Sequence, residues 1–531
     1  MSGMSTLTVN WNKNTYTVPF SAAAGVAAVK QSIQDQTGVP IDRQKIMPKT
    51  KKTWKGILKD DFDLSSLPAT VECLLMGSAE THLIPQTKTV FLEDLKEEDV
   101  AKAGAELPAG LVNLGNTCYM NSTLQCLRYT EDWRKGLSAG KSSSQFTSSL
   151  DSAFEQLDSS IAPVPPVGFW STLKQQYPQF GEQSQRGGFA QQDAQEFLNS
   201  LFTSTALSDD ASIAAAFGGE KPDAKVLNGA QGLTNSMFGL KMKTVLTCPE
   251  AGDAEPPKHD TAEQNVLQCN IQGGVGAKHQ IDHLNAGVML GLDNGGEDVE
   301  VHSEALGRNA LWQKKSRIDR LPKYICIQMM RFFWKQTPDN ADHAGTKCKM
   351  MRPVTFNERM DTFDFCSDRL QAILKGPRDK RAAEEEERAS KKLRGSDKKE
   401  GDEDVAMEDA EDEMDEETKA ALAMSLAADE PTEKAGPGLP DNFEGIYELY
   451  AVVCHKGRDS DSGHYTGWVR QDGDNWLVFD DDEVVEKTTA DILALKGGGD
   501  WHMSYLNFYR AIDRTAEDKK REEKEKEAKR A

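Results

Sequence analysis

The chain has no long apolar run, no excess of positive charge and no closely paired cysteines. Each lack closes off a class of function. No stretch approaches the ~20 apolar residues of a membrane-spanning helix, so no membrane partner is expected. Lys and Arg number 63 against 85 Asp and Glu, a formal net charge of -22, with an isoelectric point near 5.0. Such a surface repels phosphate backbones and anionic headgroups, which argues against nucleic acid as well. Nine cysteines are scattered over 531 residues without one Cys-x-x-Cys pair. A closed zinc site takes four thiolate or imidazole ligands at local spacing. Cys248 and Cys269 stand alone, and His283 and His302 read as ordinary surface histidines, so no metal or cofactor is expected. Unpaired thiols fit a reducing compartment. Met1-Ser2-Gly3-Met4-Ser5-Thr6 lacks the basic-then-apolar character of a signal segment, and the expected location is cytoplasmic and nuclear. Gly497-Gly498-Gly499 lacks the Lys-Ser/Thr of a phosphate-binding loop and reads as a turn.

What the chain does have is a Gly- and Asn-rich loop, Gly110-Leu111-Val112-Asn113-Leu114-Gly115-Asn116-Thr117, running into Cys118. Met120, Leu124 and Leu127 then recur at helical spacing. Cys118 is thereby expected at a helix N-terminus, where unpaired N–H groups and the helix dipole favour thiolate, the nucleophile of acyl transfer. Asn113 offers an amide N–H for a developing oxyanion. Locally, a buried structural cysteine fits the pattern equally well. Far downstream, Ser462-Gly463-His464-Tyr465-Thr466-Gly467-Trp468-Val469 and Asn475-Trp476-Leu477-Val478-Phe479-Asp480 flank the turn Gln471-Asp472-Gly473-Asp474, which reads as a β-hairpin. His464 opens its first strand and Asp480 closes its second. The two ends of a hairpin are adjacent, so Asp480 is placed to orient His464, and His464 to deprotonate Cys118.

The stretch Gly110–Ser122, the run Gln191-Gln192-Asp193-Ala194-Gln195-Glu196-Phe197 and Ser462-Gly463-His464-Tyr465 resemble, in that order, the ubiquitin-specific protease family. The resemblance implies an α+β chain whose papain-like catalytic domain, residues 107–512, has a helical thumb and β-rich fingers and palm. It implies a thiol-dependent deubiquitinase that cuts isopeptide bonds at the C-terminal glycine of ubiquitin. Cys118, His464 and Asp480 (rather than Asp481) would form the triad and Asn113 the oxyanion donor. Gln192, Asp193, Ser462, Gly463 and Tyr465 would line the path of the ubiquitin tail, with Asp193 on a helix over residues 189–201. Residues 324–334 would be one buried strand along that path. A solvated helix face and ordinary core packing are the plainer readings of these last two. A catalytically inactive ubiquitin-binding scaffold is the alternative function.

Residues 4–78 read as a β-grasp: a hairpin, a helix carrying Val26, Val29 and Ile33, then further strands. Val29–Pro40 is similar to the helix of ubiquitin, and Met47 falls at an apolar-patch position. A ubiquitin-like domain, a linker over 79–106 and the stretch Leu495–His502 are similar to the proteasome-associated branch of the family, which implies the 26S proteasome regulatory particle as partner beside ubiquitin and polyubiquitin. Residues 376–441 have a composition that cannot bury itself and are expected to be a disordered acidic insert. Lys391-Lys392-Leu393-Arg394 is a weak nuclear-import signal. Residues 416–430 resemble a ubiquitin-interacting motif, with Ala421 and Ser425 on one face flanked by Leu422 and Leu426; a chance Ala-rich helix is the other reading. Lys456–Gly463 is expected to be a mobile loop at the site's mouth, and 513–531 a solvated charged tail.

Overall fold

A computed structural model describes residues 5–11, 14–20, 25–37, 39, 41, 44–49, 53–54, 56–59, 62–68, 70–76, 107–184, 187–273, 279–335, 346–396, 433–457, 463–499 and 501–518. The linker, Ser462 and the motif residues Ala421, Leu422, Ser425 and Leu426 lie outside them. The chain divides into two compact units, Met1–Ala105 and Glu106–Ala531.

In the first unit β1 (Ser5–Trp11) and β2 (Asn14–Phe20) form a hairpin whose alternation puts Leu7, Val9, Val18 and Phe20 on one face. Helix α1 (Gly25–Thr37) turns Val26, Val29 and Ile33 onto that core. The helix is also the crossover that lets β4 (Thr70–Met76) run parallel to β1. β3 (Lys45–Pro48) closes the order β2-β1-β4-β3. Half-buried Met47 is in register with Leu74, which is exposed.

The second unit begins with helices α2 (Cys118–Arg128), α3 (Glu131–Ala139), α4 (Gln145–Ser159), α5 (Val167–Gln176), α6 (Ala194–Ser204), α7 (Asp210–Ala216), α8 (Ala224–Leu227) and α9 (Gly232–Phe238). Strands β5 (Leu240–Thr247), β6 (Lys258–Gln264), β7 (Val266–Cys269), β8 (Gln272–Gly273) and β9 (His279–Gln280) follow, then α10 (Leu284–Leu292). Next come β10 (Val299–Ser303), β11 (Arg308–Arg320), β12 (Tyr324–Met329), β13 (Phe332–Lys335), β14 (Thr346–Lys349), β15 (Arg359–Asp361) and α11 (Asp368–Ser396). The unit ends with β16 (Ile446–Lys456), β17 (His464–Asp472), β18 (Asn475–Asp480), β19 (Glu483–Thr488), α12 (Thr489–Leu493) and β20 (Met503–Ala511). Two larger sheets, labelled fingers and palm for reference, have the orders β10-β11-β5-β6 and β19-β18-β17-β16-β20-β12-β7, the second with β15 on β16; β13-β14 and β8-β9 form two-stranded sheets.

The central palm strands β16, β20 and β12 are buried on both faces, which is why they read as nearly continuous apolar runs, whereas the edge strand β19 is largely exposed. Tyr465, Val469, Val453 and Tyr505 pack on the N-terminal helices. Trp468, Trp476, Val452 and Tyr509 pack on the opposite side, in one core with residues of α10 and α11. Within the first core every residue of α2 except Arg128 is buried, so its polar side is covered too. The cost is met by internal partners: Gln125 donates to Ala109 O at 3.0 Å and Thr123 to Tyr119 O at 2.8 Å.

Several expectations are corrected. The insert does not begin at 376: α11 continues through Pro377 to Ser396. Arg378 donates to Glu444 O at 2.7 Å, and Arg381 pairs with Asp518 at 2.7 Å. Residues 433–441 are likewise built in, with Ala435 and Leu439 buried and Ala435 O accepting from Leu321 N. A composition window averages such specific pairs away. The tail is not wholly free either, since Arg514 pairs with Glu444 at 2.8 Å and Glu517 with Arg359 at 3.1 Å. Residues 324–334 are two strands, not one. The chain breaks where Arg331, fully buried, donates to the carbonyls of Ser504, Met350, Arg352 and Lys496. His283 is not an ordinary surface residue: its Nδ1 accepts from Asn285 N at 3.1 Å and caps α10.

Candidate active site

The loop before α2 is shaped by Asn113, whose Oδ1 accepts from Gly115 N at 2.9 Å and Thr117 N at 3.2 Å. The turn passes through left-handed backbone at Gly115 (φ 105°) and Asn116 (φ 55°). Glycine and asparagine are the residues that tolerate this conformation best. Cys118 then opens α2 and is itself buried.

Two glycines without room for a side chain bring the hairpin to this loop. A Cβ on Gly467 would stand 2.7 Å from Ser122 O, so β17 lies directly on α2. A Cβ on Gly110 would stand 2.6 Å from Asp481 O, so the Cys118 loop lies directly on the end of β18. There Leu111 N donates to Asp481 O at 2.8 Å. The hairpin runs antiparallel with Gly467 opposite Phe479. His464 Nε2 is hydrogen-bonded to Asp480 Oδ1, and the Cys118 thiol lies near enough to the same imidazole to act on its titration. Cys118 above all, then Asp480, raises the His464 pKa from 6.5 to about 9 against the opposing effect of burial. Cys118, His464 and Asp480, chosen from sequence, are thus brought together.

The neighbouring carboxylate faces elsewhere. Asp481, with φ 55°, accepts from Asn113 Nδ2 on one oxygen and from Asn121 Nδ2 on the other, both at 2.8 Å. Asn113 therefore stands in the loop before Cys118 with its amide oriented by Asp481. Asn121 and this role of Asp481 were not read from the sequence; the Phe-Asp-Asp-Asp run was the available signal, but only the φ of Asp481 separates the two carboxylates. Ligand atoms of His464, Asp480 and Asp481 lie within 4.8 Å of one another, and the hydrogen bonds just described account for the grouping.

The expected tail-path residues divide. Asp193 is not within a helix but caps α6: its Oδ1 accepts from Gln195 N at 2.8 Å. The helix thus starts at Ala194 rather than at 189, since a capping Asp takes extended backbone. Both Asp193 oxygens also lie 2.8 Å from Tyr505 OH, tying α6 to the palm. Gln192 donates to Gln179 O at 2.8 Å. Tyr465 is buried beside His455, ring centroids 4.6 Å apart. Gly463 has φ 126° and precedes β17. A second histidine, His502, lies 6.5 Å from His464 between ring centroids, with Nδ1 3.4 Å from Cys454 Sγ. Burial first, then the charges of Lys456 and His464, push its pKa down to about 4.

Residues 109–509 match the family described as Ubiquitin carboxyl-terminal hydrolase. The chain is 35% identical to Ubiquitin carboxyl-terminal hydrolase 6 of Arabidopsis thaliana, across 96% of this chain and 99% of that one. It is 31% identical to Ubiquitin carboxyl-terminal hydrolase 6 of Schizosaccharomyces pombe, again across 96% and 99%. Among solved structures, the SAGA Ubp8/Sgf11/Sus1/Sgf73 DUB module bound to ubiquitin aldehyde aligns with 18% identity and a TM-score of 0.47, covering 78% of this chain and 73% of that one. With a family match spanning most of its length and relatives aligned nearly end to end, the chain belongs to the ubiquitin carboxyl-terminal hydrolase family and is a cysteine-type deubiquitinase.

Proposed function

We propose that the enzyme hydrolyses isopeptide bonds at the C-terminal glycine of ubiquitin in conjugates. The observation that carries this is the convergence of Cys118 and Asp480 on one imidazole, that of His464, which both act to keep protonated. The Cys118 thiolate attacks the glycine carbonyl. The oxyanion is met by an N–H of Asn113, whose amide Asp481 holds in place. As the tetrahedral species collapses, the carbon–nitrogen bond breaks and His464 gives its proton to the departing lysine amine. Water, deprotonated by His464, then hydrolyses the thioester and frees Cys118. Gln192, Asp193, Ser462, Gly463 and Tyr465 line the path of the ubiquitin tail in this reading.

The first unit, with its helix across a β2-β1-β4-β3 sheet, serves as a ubiquitin-like domain that docks on the proteasome regulatory particle. Half-buried Met47 and exposed Leu74 supply an apolar contact patch. Residues 416–430 add a second ubiquitin contact through Ala421, Leu422, Ser425 and Leu426, and the enzyme works in cytoplasm and nucleus. The inactive-scaffold alternative is disfavoured because the thiol, imidazole and carboxylate are all present and in contact. Turnover of a ubiquitin C-terminal fluorogenic substrate tests the chemistry: activity in the wild type and none in Cys118→Ala is expected, and an inert wild type would return the scaffold reading. Deleting residues 1–80 should abolish co-purification with proteasomes while leaving that turnover intact; undiminished co-purification would sink the docking role.

A further inference from the structure

Outside the groups already used, the second unit buries a lysine that has no carboxylate partner among the described residues. Lys349, at the end of β14, is 7% exposed. Its Nζ lies 2.7 Å from both Nδ1 and the backbone oxygen of His455, which is fully buried. β14 pairs only with β13, outside the palm, whereas His455 is the penultimate residue of β16 within it. The amine thus pins a small outlying hairpin to the palm, and it pins a particular ring. His455 is opposite Tyr465, and the next residue, Lys456, is opposite His464.

The far edge of that ring is a floor. A Cβ on Gly463 would stand 2.7 Å from His455 Nε2, 2.9 Å from its Cε1 and 2.1 Å from Lys456 O. Gly463 therefore rests on His455, and His464 is the next residue along the chain. With the amine donating to Nδ1, the ring proton is on Nε2, the edge facing Gly463. Burial first, then the Arg331 guanidinium, hold the Lys349 pKa down to about 7. Charged or neutral, the amine keeps N–H donors enough for both acceptors.

We infer that Lys349 is a positioning residue for His464: it fixes the His455 ring on which Gly463 lies, and so sets where His464 enters β17 beside Cys118. This rests on the proposed pairing of His464 with Cys118. Removing the amine leaves Nδ1 and the carbonyl of His455 buried without that donor and lets the ring shift between Phe332 and Tyr465. Reaction geometry is sensitive on that scale, since a misplacement of about 1 Å can cost on the order of a hundredfold in rate.

The test is the rate at which iodoacetamide alkylates Cys118 in the full-length chain, read residue by residue by mass spectrometry. This small electrophile needs no ubiquitin and so reports the thiol–imidazole pair alone. Lys349→Met should slow Cys118 alkylation about tenfold and lower kcat on the fluorogenic ubiquitin substrate similarly, with KM changed less than about threefold. Lys349→Gln, which keeps N–H donors at nearly the same reach, should recover most of the rate. Cys118 alkylation at the wild-type rate in Lys349→Met, with only KM raised, would overturn the inference and leave Lys349 a tail-path residue. Should the Met variant lose its cooperative thermal transition, His455→Leu decides, because it removes the ring beneath Gly463 with Lys349 intact. Wild-type alkylation there also overturns the inference. A wild type alkylated no faster than His464→Ala would instead overturn the pairing on which it stands.

Discussion

The palm and the fingers are both largely antiparallel sheets of one unit, yet they are held together by different means. The palm is covered on both faces along its central strands, with Trp476, Tyr447, Tyr465, Tyr505 and Tyr509 essentially sealed from solvent, whereas its edge strand β19 is largely exposed. The fingers have one small cluster near their tip, Cys248, Ala310 and Trp312. Lys258 lies 4.2 Å over the Trp312 ring of that cluster, Leu240, Met242 and Ile318 at the base of the fingers join the core beneath the palm, and the exposed remainder carries ion pairs such as Arg308 with Glu250 at 2.5 Å. β6 of the fingers is mostly exposed. Exposed pairs contribute little each, about 0–1 kcal/mol, whereas apolar burial adds about 25 cal/mol per Å². Rigidity is therefore concentrated where a thiol, an imidazole and a carboxylate must meet within hydrogen-bond distance. The fingers have no such group to hold.

That contrast can be broken or sharpened in four ways, from the largest expected effect on turnover to the smallest. Cys118→Ala should abolish hydrolysis and labelling by a ubiquitin electrophile while ubiquitin binding, followed by titration, survives; labelling that persists on Cys126 would place the nucleophile elsewhere. Asp481→Ala removes the acceptor shared by Asn113 and Asn121 and should lower kcat on the order of a hundredfold, the usual cost of losing an oxyanion donor. An unchanged kcat in that variant would mean that Asn113 is oriented by its other bonds alone.

The third test uses pH. His464 has a folded pKa of about 9 against an unfolded 6.5, so its contacts stabilise the fold fully below pH 6.5 and cease to do so as pH rises through 9. Leaving-group protonation by His464 is lost over the same upper range. Isopeptide hydrolysis should therefore show a basic limb near pH 9, and Asp480→Asn, which removes one of the two bonds raising that pKa, should move the limb to lower pH. A limb that stays put would assign it to another group. The fourth is Trp312→Ala, a cavity in the fingers costing about 3–5 kcal/mol locally. Amide exchange in β10 and β11 should rise markedly, while Cys118 alkylation by iodoacetamide stays at the wild-type rate. Slowed alkylation would show that the two sheets are mechanically coupled.

The chemistry-bearing residues were legible because short-range rules govern them. Cys118 at a helix start follows from a Gly- and Asn-rich loop ahead of a 3.6-residue apolar period, and His464 and Asp480 at adjacent ends follow from two apolar runs around Gln471–Asp474. Less was legible wherever a residue's role depends on a distant one. Asp193 looks like part of a helix face but caps the helix and meets Tyr505 from β20. Asp480 and Asp481 are chemically identical neighbours, separated by a left-handed backbone that sequence does not announce.

The pattern of residues by itself determined the strands of the first unit, the hairpin of the second and the choice of Cys118, His464 and Asp480 as candidates, since periodicity, turn residues and side-chain chemistry are local properties. Only the tertiary structure decided how close those groups come and what holds them. Gly467 on Ser122 and Gly110 on Asp481 are contacts between segments about 345 and 371 residues apart in numbering, made possible by the missing Cβ. The extension of α11 to Ser396 and the burial of Lys349 against His455 are of the same kind. Each depends on a partner, Glu444 and Asp518 in one case and His455 at the end of β16 in the other, that folding brings alongside from a distant part of the chain.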